Sequence, residues 1–147
     1  MKLTMEIDVT GKQYYDHLCE RIIADIKKAT NKKVTEEQLI DGYTYKRTVN
    51  YKKKTAELAF KVGPLIKDKF FMVTYETKDT TCMYSYDFTQ KDGTNYVTYT
   101  EDNNYKKQTI GNYFSNLRRK LTQGSWRYRV MQNIELTTTY IKNHTVE

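Results

Sequence analysis

Residues able to do chemistry are sparse in this chain. The only histidines are His17 and His144, near opposite ends, and the only cysteines are Cys19 and Cys82. A tight transition-metal site needs clustered nitrogen, sulfur or carboxylate ligands at spacings such as HxxxH or CxxC. Neither pattern occurs, so no metal and no cofactor is expected. Nucleophilic catalysis needs a base beside its nucleophile. His17 and Cys19 are two apart on a predicted helix and point in different directions. No GxSxG, GxGxxG or phosphate loop is present, and Gly11-Lys12 lacks the upstream glycine of a Walker motif. Asp87 and Glu101 fall on neighbouring predicted strands, with Glu76 on the strand before. Such carboxylates do acid/base work where burial raises their pKa values. A solvent-facing pairing with lysine is the simpler reading, so no catalytic residue is assigned and a non-enzymatic role is favoured.

Two other sets stand out. Tyrosine occurs 14 times, and Tyr75, Tyr84, Tyr86 and Tyr99 lie on consecutive predicted strands. If all four face one side, their rings line a cavity that Trp126 and Met131 close from the last helix. Rings stack and hydroxyls orient, which suits an amphipathic, aromatic or sugar-like ligand. The competing reading is a tyrosine-rich core with its hydroxyls at the rim. The second set is basic: Arg118, Arg119, Lys120, Arg127 and Arg129 surround Trp126. Arginine with an interleaved aromatic clamps phosphates and stacks on bases. The chain carries 25 basic against 18 acidic residues, a net charge of +7. This balance is compatible with an acidic protein, an anionic membrane or a solvated lysine-rich surface. No RRM, KH or helix-turn-helix signature appears, so nucleic acid is not the expected partner.

The elements that must position these residues follow from periodicity. Leu3, Met5, Ile7 and Val9 alternate with polar residues and predict a strand. Thr10 with Gln13 is a capping-box pattern. Tyr14, Tyr15, Leu18, Cys19, Ile22, Ile23 and Ile26 then recur at helical spacing, predicting a helix of about 17 residues. Thr35 with Gln38 repeats the cap ahead of a short helix, and Gly42 sits where a left-handed residue ends it. From Tyr43 to about Asp102 the period is two. Turns are expected at Lys52 to Lys54, at 79–80 and at Lys91-Asp92-Gly93-Thr94. Gly63-Pro64 reads as a breaker, and 69–77 as a strand buried on both faces. Short connections favour an antiparallel meander. Helical stripes return with Ile110, Tyr113, Phe114, Leu117 and Leu121. After an interruption at Gly124 come Trp126, Val130, Ile134 and Ile141. Thr137-Thr138-Thr139 is expected to fray that last helix or stop it early.

With 147 residues, no internal repeat and no linker-like composition, residues 1–147 read as one α+β domain. Residues 1–10 contain no continuous apolar run, so no signal peptide is expected. No stretch approaches the roughly 20 apolar residues that cross a bilayer. Two dispersed cysteines make no disulfide framework. A reducing, cytoplasmic location is the expectation.

The order strand, helix, helix, antiparallel meander, long C-terminal helix resembles the helix-grip fold of the START-like, polyketide-cyclase-like (SRPBCC) superfamily. The phrases MEIDVTGKQYYDHL, DIKKATNKKVTEEQL and DGYTYKRTV, with LRRKL and WRYRV before the last helix, are similar to the DUF3284 family of Gram-positive bacteria. The resemblance implies a curved sheet of about six strands packed on a long C-terminal helix. It also implies a cavity between them of the kind in which helix-grip proteins bind lipids, hormones or polyketides. It carries no activity that transfers to particular residues, and fold alone does not choose a function.

Overall fold

The computed structural model describes residues 1–39, 41–51, 53–105 and 123–145. Strand β1 (Lys2–Ile7) leads to helix α1 (Gly11–Thr30) and a single 3-10 turn (Glu36–Gln38). Strands β2 (Tyr43–Tyr51), β3 (Lys54–Ile66), β4 (Phe70–Glu76), β5 (Thr80–Lys91) and β6 (Thr94–Tyr105) follow, then helix α2 (Gln123–His144). The six strands form one antiparallel sheet in the order β1-β6-β5-β4-β3-β2. This α+β arrangement, a curved sheet with α1 and α2 against one side, is the helix-grip fold.

The start of α1 is fixed as the sequence predicts. The Gln13 N–H donates to Thr10 Oγ1 at 3.1 Å, and the Thr10 N–H donates to Gln13 Oε1 at 2.9 Å, so two otherwise orphaned donors are met. The helix runs to Thr30, 20 residues. It ends where Asn31 turns left-handed (φ 60°) and donates its N–H to the Lys27 carbonyl at 2.9 Å. Tyr14, Tyr15, Leu18, Cys19, Ile22 and Ile26 are its buried stripe, and they press α1 into the sheet. The second cap is weaker: Thr35 donates to Gln38 Oε1 at 3.0 Å, but only one 3-10 turn follows.

The strands pair as a meander. Asp92 and Gly93, both at positive φ (54° and 80°), close the β5–β6 hairpin between Lys91 and Thr94; these are the angles of a type I′ turn, whose twist matches the strands. Gly63-Pro64 does not break β3. The pairing with β4 shifts register between Val62 and Leu65, so the proline sits in an irregularity that asks no ladder hydrogen bond of it. Gly63 is required there. Its φ is 107°, and a Cβ would lie 3.0 Å from the Cα of Asp41, whose carboxylate accepts the Leu65 N–H at 2.7 Å. Strand β4 is less enclosed than its composition suggests: Phe71 and Val73 are buried, while Phe70, Met72 and Thr74 on the other face are half-buried.

Helix α2 begins at Gln123, includes Gly124, and runs through Thr137–Thr139 to His144 without stopping. The threonines are accommodated because Thr137 Oγ1 donates to the Asn133 carbonyl (2.7 Å) and Thr138 Oγ1 to the Glu135 carbonyl (2.8 Å). Burial of Trp126, Ile134, Thr138 and Ile141 along one face outweighs the low propensity of that run. The predicted stripe from Ile110 to Leu121 lies outside the described residues.

Candidate functional site

Pleating decides which side chains meet. Paired positions put Tyr45 and Arg47 of β2, Leu58, Phe60 and Val62 of β3, and Phe71, Val73 and Tyr75 of β4 on one face. Tyr84, Tyr86 and Phe88 of β5 and Val97, Tyr99 and Glu101 of β6 continue it. This is the concave face, covered by α1 and α2. Its rings touch in sequence. Tyr45 stacks on Phe60 (centroids 4.9 Å apart, planes 9°), and Phe60 meets Tyr75 at 5.6 Å. Tyr84 stands edge-on to Tyr86 at 6.3 Å, Tyr86 meets Tyr99 at 5.1 Å, and Tyr99 meets Trp126 of α2 at 6.2 Å.

The rings do not fill the space. A cavity of about 500 Å³ remains between α1, the sheet and α2. Tyr75, Tyr84, Tyr86 and Tyr99 all line it, together with Arg21 and Asp25 of α1, Tyr45 and Arg47 of β2, and Asn133 of α2. A second hollow of about 200 Å³ shares Arg21, Tyr86, Tyr99 and Asn133 with it. Trp126, Glu101 and Arg129 line that smaller space. Both volumes together lie in the range that takes a small organic molecule.

Met131 is not a closing residue. It is 39% exposed and lies on neither wall. Successive helical residues are about 100° apart, so Met131 turns away from the face that Val130 and Ile134 present inward. Nor does the basic stretch form one described surface. Arg118, Arg119 and Lys120 lie outside the described residues. Arg127 is exposed, and Arg129, also exposed, borders the smaller hollow.

The carboxylates part company too. Glu76 and Asp87 are exposed on the outer face of the sheet, whereas Glu101 points inward. Glu101 Oε2 accepts the Trp126 indole N–H at 3.1 Å and the Tyr99 hydroxyl at 3.0 Å, so it ties α2 to β6. The two histidines, remote in sequence, converge on one ring. Tyr140 is 5.2 Å from His17 and stacks on His144 at 3.9 Å. Burial lowers the His17 pKa, with Arg21 adding to the effect. Among the described residues no three His, Cys, Asp or Glu side chains gather as metal ligands would. Cys19 is buried, and burial pushes its thiol up to about 12, which makes it inert at neutral pH.

Arg21, Asp25, Tyr45, Arg47 and Asn133 are the polar residues of the cavity that the sequence did not single out. Asp25 Oδ2 accepts the Tyr45 hydroxyl at 2.6 Å, and its Oδ1 accepts Arg47 Nη1 at 2.6 Å. The Arg47 guanidinium also lies 5.1 Å from the centre of the Phe60 ring, a cation–π contact. Arg47 Nε is buried and has no hydrogen-bond partner among the described residues; an unmet donor of this kind costs about 1–3 kcal/mol. One signal was available. Arg47 occupies an apolar-phase position, alternating in register with Tyr45 and Val49, and a charge there marks either an ion pair or a site.

The phenols of the cavity are neutral donors. Burial raises the pKa of Tyr84 and Tyr86, and of Tyr99, where the Glu101 carboxylate adds to it. Burial raises Tyr45 as well, helped by its bond to Asp25. Tyr14, behind Tyr86, is pushed up to about 12 by burial. None of these serves as a phenolate base at neutral pH.

The family described as "Domain of unknown function (DUF3284)" matches residues 1–122. A search of curated proteins finds no match to the chain. Among solved structures, the chain is similar to Ara h 8.0201 at 10% identity and a TM-score of 0.60, covering 98% of this chain and 97% of that one. It is similar to an uncharacterised protein from Rhizobium leguminosarum at 13% identity and a TM-score of 0.59, covering 95% and 93%. The protein TTHA0849 from Thermus thermophilus gives 12% identity and a TM-score of 0.57 over 99% of each chain. Identities this low carry the fold and no further.

Proposed function

This chain belongs to the DUF3284 family, and on that premise we propose that it is a non-enzymatic binding protein holding one small amphipathic or aromatic molecule between sheet and helices. The observation that carries the reading is the cavity of about 500 Å³ walled by Tyr75, Tyr84, Tyr86 and Tyr99. A core meant only for stability closes to near-crystalline density, with few voids larger than a water molecule. Here rings from three adjacent strands leave a space between the sheet and the helices. Cys19 and Cys82, which are not joined to each other as a disulfide, suit a reducing, cytoplasmic setting for this binding role.

Native mass spectrometry of protein purified without denaturation from its own host tests the reading. A reproducible added mass that leaves on unfolding is the expected result. Tyr84→Ala should weaken its retention by about tenfold or more, the worth of one lost ring contact. Asn133→Trp, at an exposed position on the cavity wall, should block occupancy while circular dichroism stays unchanged. If the native protein carries no added mass and binds no neutral aromatic dye, the pocket reading fails. Steep weakening of partner capture with salt would then favour a basic-surface interaction module.

A further inference from the structure

The main cavity is uneven in charge. Its β5–β6 side presents the neutral rings of Tyr84, Tyr86 and Tyr99, while its α1–β2 side presents Asp25 and Arg47, joined by Arg21 of α1, an exposed residue that also borders the smaller hollow. Two guanidinium groups against one carboxylate leave one unit of positive charge on that side. Asp25 is already committed, one oxygen to the Tyr45 hydroxyl and the other to Arg47 Nη1. Arg47 Nε is buried with no acceptor among the described residues, which is rare for a buried donor in a folded protein. Arg21 makes no ion pair among the described residues. Phe60 and Asp25 hold the Arg47 guanidinium against the wall, so its remaining donors are fixed rather than floating. A guanidinium fork matches the paired oxygens of a carboxylate, sulfonate or phosphate.

Resting on the pocket reading above, we propose that the ligand is an anion. It carries a carboxylate, sulfonate or phosphate group at the Arg21–Arg47 end, and its apolar or aromatic body runs along Tyr84, Tyr86 and Tyr99. The acidic group meets the unsatisfied donor and the surplus charge, and the rings hold the body.

A matched pair of dyes tests this. 8-Anilinonaphthalene-1-sulfonate and N-phenyl-1-naphthylamine share one aromatic skeleton, and only the first has a sulfonate. The anionic dye should bind at least about tenfold tighter to the native protein. Arg47→Met and Arg21→Met should each erase most of that preference while shifting the neutral dye by less than about twofold. Arg127→Met, on the exposed side of α2 and off the cavity wall, should leave both dyes unchanged and so excludes surface pairing. Equal affinity for the two dyes, or equal loss of both in the arginine variants, overturns the anion assignment and leaves the pocket standing. Failure of both dyes to bind removes pocket and assignment together. If Arg47→Met does not fold, because Asp25 has lost its cation, Arg21→Met decides the question.

Discussion

At the scale of single residues, the tyrosines set the character of the site. Their rings are kept uncharged by burial, and the consequence is measurable in alkali. A buried phenol with a raised folded pKa contributes stability that is complete below the unfolded value near 10 and is lost as pH rises through the folded value. For Tyr14, raised to about 12, the window is pH 10 to 12, and its share is about 3 kcal/mol by linkage. Absorbance at 295 nm should therefore show an early group of phenols titrating near 10, and a late group whose ionisation coincides with loss of far-ultraviolet ellipticity. A single titration wave with the fold intact would contradict the burial of Tyr14 and Tyr86. The alternation around Tyr84 and Tyr86 made this ring set legible, because a strand period of two assigns faces without knowing neighbours. Arg21 and Asp25 were not legible. Their place on the wall depends on how α1 is rotated against the sheet, which is settled by distant residues such as Phe71 and Phe88.

At the scale of elements, α2 is the part most in need of tertiary support. Its buried face is thin, and much of its surface is exposed, including Tyr128, Leu136 and Tyr140. Ile134, 2% exposed and on the wall of the smaller hollow, is the centre of that face. Ile134→Ala should cost about 2–5 kcal/mol, the range for truncating a buried branched side chain. Chemical denaturation with far-ultraviolet detection measures this; a cost under about 1 kcal/mol would mean that α2 is held by its ends alone. The fray expected at Thr137–Thr139 came from propensity, which carries no information about the sheet beneath. The same limit explains β3. Gly63-Pro64 is a breaker by local chemistry, but the register shift against β4 and the Asp41 carboxylate at Leu65 are long-range features that absorb it. Caps and hairpin turns, being local, were readable: Thr10 with Gln13, and Asp92-Gly93.

At the scale of the whole molecule, the connections argue for one folding unit. Helix α1 packs on β2, β4 and β6, and α2 packs on β1, pairs with Asp8 just beyond it and reaches β6 through Glu101. Reading residues 1–147 as one domain predicts a single cooperative transition, with ellipticity and Trp126 fluorescence changing together. Two separated transitions would show that α2 opens independently of the sheet. The strand order was legible as a meander because the connections are short. That β1 returns to pair with β6 follows from the helix-grip resemblance and not from any local signal in Leu3, Met5 or Ile7. Among the described residues no helix is long and apolar enough to cross a membrane.

The pairing of Leu3 with Tyr99 has a consequence for the chain as it is made. Strand β1 leaves the ribosome ahead of the rest of the sheet, but among the described residues its only neighbour is β6, the last of these six strands to be translated. At about 5–20 residues per second, the first strand waits on the order of 5–20 s with its apolar side chains uncovered. During that interval α1 has no complete floor to lie on either. Strand β1 is thus vulnerable during synthesis, and holdase chaperones should crosslink to Leu3 and Ile7 until β6 emerges.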